Sequence, residues 1–259
     1  MDVCIIVTKP NIFLINLDSC TDRLAESTSQ FDKFSLPFER VSAVKGAELN
    51  ADVLGASYCK KKNAKQYFRP LTLGEIGCYL SHMKALSRIV ELKLPYAFIF
   101  EDDFQLHNDL AQIDQMIASL PFEWDMIKLF QSQKNKRTPI ASFPLNKSLS
   151  LFMQNKVPAG TVAQLVSLKG AKKILSKSIP FGRPIDIDYQ HFWEKELSVF
   201  VMSPCPVSHG EKFASTIDRA PRVTGAKRYF WRKQLLQINK FIKNKFYRSL
   251  VLKRYHHHF

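Results

Sequence analysis

Tyr96-Ala97-Phe98-Ile99-Phe100-Glu101-Asp102-Asp103-Phe104 (YAFIFEDDF) joins a continuous apolar run to three adjacent carboxylates. The apolar run reads as a strand buried on both faces. Like charges at its end repel one another and are poorly solvated. Either the turn is open to water and merely carries acids, as polar turns do, or it holds a cation. Mg²⁺ and Mn²⁺ take oxygen ligands, often one or two carboxylates plus substrate phosphates. The carboxyl ends of strands in open α/β sheets are also where ligands bind. If strand alternation persists through the acids, Glu101 and Asp103 point to one side and Asp102 to the other. Asp103 then holds the metal, while Asp102 or Glu101 reaches a ribose or a second ligand.

Working outward, Ile12–Leu17 is a second buried run, ending in the polar pair Asn16 and Asp18. Thr21 to Lys33 reads as a helix and Phe38 to Val44 as a short strand. Residues 45–70 show little periodicity and read as a long loop. Thr72 to Glu91 places Ile76, Leu80, Met83, Leu86 and Ile89 at helical spacing, with Thr72 and Glu75 in a capping-box pattern. Strand, helix, strand, helix, strand is the rhythm of a parallel α/β sheet. Further on, Asp125–Phe130, Thr161–Leu168 and Val199–Met202 read as strands, Gly170–Lys177 as a short helix, and 132–150 as a loop or hairpin. Pro184 to Leu197 opens on Pro and Asp, which suits a helix start.

The chain has 259 residues, 46% hydrophobic and 24% charged, which excludes disorder and fibrous structure. Its net charge of +15 is uneven. From Arg219 to Phe259 there are 12 Lys/Arg and no acid, so residues 1–218 carry only +3. This is a nearly neutral body with a basic tail that meets something anionic, not a protein that is basic throughout. The five cysteines (Cys4, Cys20, Cys59, Cys78, Cys205) are scattered and odd in number, which predicts free thiols in a reducing compartment. No apolar stretch approaches the ~20 residues of a membrane span, and the short run Cys4–Val7 is no signal peptide. The expectation is a cytoplasmic protein, peripheral on the inner membrane.

IFLINLDSCTDRL (12–24), FERVSAVKGAEL (38–49), LTLGEIGCYLSHMKAL (71–86), YAFIFEDDF (96–104), WDMIKL (124–129), AGTVAQLVSLKGAKKIL (159–175) and RPIDID (183–188) together resemble glycosyltransferase family 25, the lipooligosaccharide galactosyltransferases of Gram-negative bacteria. The resemblance spans roughly residues 12–218. It implies a GT-A type, Rossmann-like mixed sheet with flanking helices over 1–218, followed by a basic amphipathic tail over 219–259. It also implies a UDP-sugar donor, Mn²⁺ or Mg²⁺, and inversion at the anomeric carbon. Such chemistry needs the diphosphate leaving group neutralised, which a metal does. It also needs a base to take the acceptor hydroxyl's proton.

Asp186 matches the family's Pro-x-Asp position and Asp188 is an extra acid. Each is a helix N-cap or the base. Glu101, Asp103 and His209 form the implied metal set, with His209 otherwise a surface-loop histidine. Asn16, Leu17 and Arg23 follow the first strand, where the resembled fold holds uridine. Asn16 can pair with a base edge, and Arg23 offers a fork to phosphate or ribose oxygens or forms a surface ion pair. Ala43 and Gly46 permit close approach of a nucleotide, or Gly46 is a plain turn glycine. Ser81, His82 and Lys84 match the family's Ser-His segment and line the donor pocket, with His82 alternatively a structural histidine. Asp102 reaches the ribose. Thr161 and Gln164 lie in the GT-x-x-Tyr-x-x-Ser stretch, where Gln164 replaces the usual Tyr. Lys212 balances the diphosphate or is simply solvated.

In the tail, Trp231, Leu235, Ile238, Ile242 and Phe246 recur at helical spacing, with most of the Lys and Arg off that face. A basic amphipathic helix suits an anionic membrane surface; the alternative is a helix packed on the body. The functional expectation is transfer of a hexose, galactose from UDP-galactose, onto a lipooligosaccharide. UDP-glucose or a UDP-N-acetylhexosamine is the alternative donor, and a catalytically dead binder is a further alternative. A nucleic-acid-binding protein, stacking bases on Tyr229, Phe230 and Trp231, is the rival of another class. It is disfavoured because the basic excess is confined to the tail.

Overall fold

The computed structural model describes residues 9–132, 138–210 and 226–258. Lys212 and the expected boundary at 218/219 lie outside the described residues.

The central sheet has eight strands in the order β2-β1-β3-β8-β5-β9-β7-β6. These are β1 (Ile12–Asn16), β2 (Glu39–Ser42), β3 (Tyr96–Glu101), β5 (Met126–Lys128), β6 (Pro139–Pro144), β7 (Ser150–Gln154), β8 (Ala163–Ser167) and β9 (Val199–Ser203). The first three pair in parallel, as the strand–helix rhythm predicts. β8 then enters antiparallel between β3 and β5, so the sheet is mixed rather than parallel throughout. Residues 139–154 form a hairpin of β6 and β7. Two short strands, β4 (Phe104–Leu106) and β10 (Val207–His209), make a separate antiparallel ribbon. It pairs His209 with Phe104 and thereby carries a residue from far along the chain to the acidic turn.

The helices are α1 (Thr21–Asp32), α2 (Ala51–Ser57), α3 (Lys60–Gln66), α4 (Leu73–Glu91), α5 (Leu110–Ala118), α6 (Leu168–Ser178), α7 (Ile185–Tyr189) and α8 (Ala226–Tyr255). α4 begins where its capping box predicts: Thr72 Oγ1 accepts from Glu75 N, and Glu75 Oε2 accepts from Thr72 N at 2.8 Å. Ile76, Tyr79, Met83, Leu86 and Ile89 form its buried face. The expected loop at 45–70 is instead a 3₁₀ turn followed by α2 and α3. Each of these helices has seven residues, too few for a period to emerge. They are set by local caps, Asn50 Oδ1 on Val53 N and Cys59 Sγ on Lys62 N.

Gly46 and Gly77 let two backbones meet. A Cβ on Gly46 would lie 1.8 Å from the Leu73 carbonyl oxygen, and one on Gly77 would lie 2.4 Å from that of Val44. The small residue at 46 therefore serves the junction of the β2 exit with α4, beyond any room it leaves for a ligand.

α8 docks on the body with an unusual face. Lys240, Asn244, Arg248, Val251 and Tyr255 are buried. Trp231 is 75% exposed, Leu235 68%, Ile242 61% and Phe246 60%. The expected apolar stripe exists and points away from the body. Among the described residues no helix is long and apolar enough to cross a membrane, and Cys20, Cys59, Cys78 and Cys205 are free thiols.

Candidate active site

β3 ends at Glu101, and Asp102 and Asp103 form a turn. Strand alternation therefore stops before it can sort the acids to two sides. All three carboxylates instead line one pocket together with Leu17, Arg23 and His82. Their individual environments divide them.

Asp102 is fully engaged: Oδ1 accepts from Arg23 Nη1 at 2.9 Å and Oδ2 from Asn16 Nδ2 at 2.8 Å. Asn16 is therefore a brace for Asp102 rather than a wall of the pocket, and its own Oδ1 accepts from Arg40 Nε. Glu101 Oε1 accepts from Thr161 Oγ1 at 2.5 Å, His82 Nε2 at 2.9 Å and Cys78 Sγ at 3.7 Å. Burial would raise its pKa, but the His82 and Thr161 bonds win and hold it below the usual carboxylate value.

Asp103 differs. Its Oδ1 is buried with no hydrogen-bond partner among the described residues, and its Oδ2 lies 3.4 Å from His209 Nε2. Burial, reinforced by the Glu101 charge, pushes its pKa up to about 6. The His209 ring fixes the sense of that contact. Its Nδ1 lies 3.1 Å from the Gly210 carbonyl oxygen, which can only accept, so Nδ1 carries a proton and Nε2 is the nitrogen turned to Asp103. The carboxylate needs a positive charge here, which a proton on Nε2 or a metal ion held by both residues supplies. A histidine whose far nitrogen donates to a backbone carbonyl is the usual metal-ligand arrangement. Asp103 and His209 thus fit a divalent metal.

A second group, Cys78, His82 and Glu101, has its potential ligand atoms within 4.8 Å of one another. It is already filled with protons. Burial pushes the Cys78 thiol well above its ordinary value, and Glu101 Oε1 accepts three donors, so these groups serve each other.

The remaining expected residues separate clearly. Ala43, Gly46 and Ser81 line the pocket with Leu17; Ser81 Oγ accepts from Val44 N at 2.8 Å and holds the loop there. Lys84 is exposed and donates to the Ser42 carbonyl, so it braces the pocket's rim from outside. Gln164 is completely buried behind the pocket and is no contact for a donor sugar. Its Nε2 approaches His82 Nδ1 at 3.5 Å and its Oε1 accepts from Lys128 Nζ at 3.1 Å.

Asp186 and Asp188 have opposite surroundings on one short helix. Asp186 accepts from Ile187 N and Gly160 N, and burial raises its pKa. Asp188 accepts from Tyr79 Oη at 2.6 Å, Arg183 Nε at 2.7 Å and Lys195 Nζ at 2.5 Å. Burial would raise it, yet Lys195 and Arg183 hold it down at about 2. Such a carboxylate is a structural counter-ion and a poor base.

Lys128 is the functional candidate that sequence reading passed over, because a lysine inside a strand looks like a surface residue. It is wholly buried and donates to the Gly160 carbonyl at 2.5 Å. Burial brings its pKa down to about 8, with Asp186 and Glu101 opposing the fall. It therefore lies electrostatically between the candidate base and the acidic turn.

Several known proteins are similar to this chain. It is 27% identical over 214 residues to procollagen galactosyltransferase 1 of Danio rerio, covering 74% of this chain and 35% of that one. It is 28% identical over 219 residues to the probable inactive glycosyltransferase 25 family member 3 of Bos taurus, again covering 74% and 35%. The chain thus spans about a third of the length of these relatives. Among solved structures, a galactosyltransferase 7 mutant of Drosophila in complex with manganese, UDP-Gal and xylobiose aligns at a TM-score of 0.39 and 10% identity, over 88% of this chain and 79% of that one. The family model described as Glycosyltransferase family 25 (LPS biosynthesis protein) matches residues 9–189. That match takes in the acidic turn, the Ser-His helix and the Pro-x-Asp helix, and it extends over well more than half of the chain, which therefore belongs to glycosyltransferase family 25.

Proposed function

We propose that the protein is an inverting, metal-dependent glycosyltransferase that moves a hexose, galactose from UDP-galactose, onto a lipooligosaccharide acceptor. The observation that carries this reading is Asp103. A largely buried carboxylate, one of whose oxygens has no partner among the described residues, faces the Nε2 of His209 in a pocket. Asp103 and His209 would hold Mn²⁺ or Mg²⁺, which when bound neutralises the departing diphosphate. Asp102, braced by Asn16 and Arg23, presents a fixed edge to the nucleotide's ribose. Glu101, whose Oε1 is held by His82 and Thr161, fixes the pocket's shape and charge and keeps Oε2 for the same metal. Asp186 takes the proton of the acceptor hydroxyl; its burial raises its affinity for that proton toward what a base at neutral pH needs.

The acceptor's place at a membrane is supported by α8. Its apolar stripe faces outward with basic residues near it, and such a face suits the interface of an anionic bilayer. The protein would then work at the cytoplasmic face of the inner membrane as a peripheral enzyme.

A screen of UDP-sugars with and without Mn²⁺, reading UDP release in the presence of a lipooligosaccharide acceptor, tests the reading. Metal-dependent release is expected, greatest with UDP-galactose. Tight UDP binding with no release for any sugar would make the chain a binding-only relative and remove the proposal.

A further inference from the structure

Where α8 lies on the body, a cavity of ≈ 430 Å³ is lined by Ile140, Lys156, Lys240, Phe241, Lys245 and Arg248, among others. No Asp or Glu lines it among the described residues. Arg248 forms part of its lining and is only 3% exposed. Its guanidinium lies 4.3 Å over the Phe192 ring, and Nη1 reaches the Val199 carbonyl at 3.4 Å. Its Nε has no hydrogen-bond partner among the described residues. Burial alone lowers its pKa, to about 10, and no carboxylate offsets it.

The two other buried arginines among the described residues are treated differently: Arg23 is paired with Asp102. Arg183 is paired with both Asp188 and Glu194. An uncompensated buried charge is strongly unfavourable, so the Arg248 arrangement is incomplete without an anion. A second buried atom on the same seam, Asn244 Oδ1, also lacks a partner, while Asn244 Nδ2 is held by the Asn155 carbonyl. The seam therefore offers an unmet donor and an unmet acceptor. A phosphate monoester carries groups of both kinds, anionic oxygens and a P–OH group. A sulfate or a carboxylate matches only the donor.

The cavity opens beside the outward apolar face of α8. Phe241 belongs to both, lining the cavity while 69% exposed. An occupant with a phosphate head and an apolar body fits this juxtaposition better than a free anion does.

We propose that this groove binds the phosphate headgroup of an anionic lipid, seated between α8 and the hairpin of β6 and β7, with the lipid's apolar part against the exposed face of α8. The inference rests on the membrane reading for the source of the phosphate; the anion site itself rests on Arg248 and the basic lining.

Two measurements on the full chain test it. In the first, thermal melts compare chloride, sulfate and phosphate at matched ionic strength. Phosphate is expected to raise Tm above both other anions, since a ligand that binds only the native state stabilises it. Arg248→Met should melt no lower than wild type in chloride, because an uncompensated charge is gone, and should lose the phosphate increment. Equal shifts in phosphate and sulfate, or an increment that survives in Arg248→Met, would overturn the site.

In the second, sedimentation compares phosphatidylcholine vesicles with the same vesicles carrying phosphatidic acid or phosphatidylglycerol. Preference for phosphatidic acid is expected. The exposed-side variant Lys245→Glu, combined with Lys156→Glu, should weaken that binding at least about tenfold while leaving turnover on a soluble acceptor unchanged. It also decides the matter should Arg248→Met fail to fold. Trp231→Ser with Ile242→Ser separates the two readings, since it should abolish binding to neutral vesicles yet keep the phosphate increment in Tm. A phosphate increment with no preference for phosphatidic acid would overturn the lipid assignment.

Discussion

Around Asp188 the chain supplies a tyrosine hydroxyl, a guanidinium and an ammonium, all within 2.7 Å. Around Asp103 the described residues supply one histidine, its Nε2 at 3.4 Å. Asp188 is buried and Asp103 only partly exposed, yet one is held at about 2 and the other pushed up to about 6. The difference separates a charge the fold completes for itself from a charge left for something to arrive. Substitutions at the two sites should therefore have opposite signatures. Asp103→Asn is expected to abolish metal-dependent turnover while melting no lower than wild type, because it removes a repelled and poorly solvated charge. Wild-type turnover at limiting Mn²⁺ in that variant would eliminate Asp103 as a ligand.

Asp186→Asn sharpens the same comparison two residues from Asp188. It should retain UDP-sugar affinity and lose about 10²–10⁴ in kcat, the usual worth of a general base. Single-turnover kinetics beside UDP-sugar titration check this. If Asp188→Asn loses kcat at unchanged stability while Asp186→Asn is near normal, the two roles must be exchanged.

For Asp188 the expected loss is in stability. Asp188→Asn leaves Arg183 and Lys195 buried and short of a partner, which costs about 3–5 kcal/mol. The pH dependence follows from the direction of the shift. The folded-state pKa is depressed to about 2 from 3.8, so the contribution is complete above pH 3.8 and fades as pH falls through about 2. That window corresponds to about 2 kcal/mol. Denaturant melts of wild type and Asp188→Asn should converge on acidification across it. Parallel curves would mean that the Asp188 cluster is not the source.

Much of the site was legible because its signals are local. A buried run ending in acids marks β3 and its turn, and Thr72 with Glu75 marks the start of α4. What was not legible depends on contacts between distant segments. The strand that enters antiparallel between β3 and β5 has the same buried pattern as a parallel one. The ribbon that carries His209 to Asp103 has three residues per strand, below the length at which alternation shows. In α8 the apolar stripe was visible, but the seam that docks is made of Lys240, Asn244 and Arg248, which read as solvent-facing until their partners are seen. Lys128 was overlooked for a related reason: its counter-charges, Glu101 and Asp186, come from elsewhere in the chain.

The smallest expected effect concerns Lys128 and tests whether the pocket's completed half is positioned as tightly as its electrostatics suggest. Lys128 Nζ donates to Gln164 Oε1, which turns the amide's NH₂ toward His82 Nδ1. A donor at Nδ1 leaves the His82 proton on Nε2, where it meets Glu101. The lysine thus sets a tautomer two residues away through an amide that cannot flip without facing NH₂ to ammonium. Gln164→Glu presents only acceptor oxygens to His82, so the ring must move its proton to Nδ1 or acquire a second one. Nitrogen chemical shifts of His82 should report that change. Lys128→Met removes the orienting charge at similar volume and should cost about the worth of one hydrogen bond, a five- to tenfold fall in kcat with KM little changed. Lys128→Arg keeps the charge and should recover part of the loss. An unaltered His82 tautomer in Gln164→Glu, together with wild-type kcat in Lys128→Met, would reduce the Lys128–Gln164–His82 chain to packing and leave Thr161 as the group that orients Glu101.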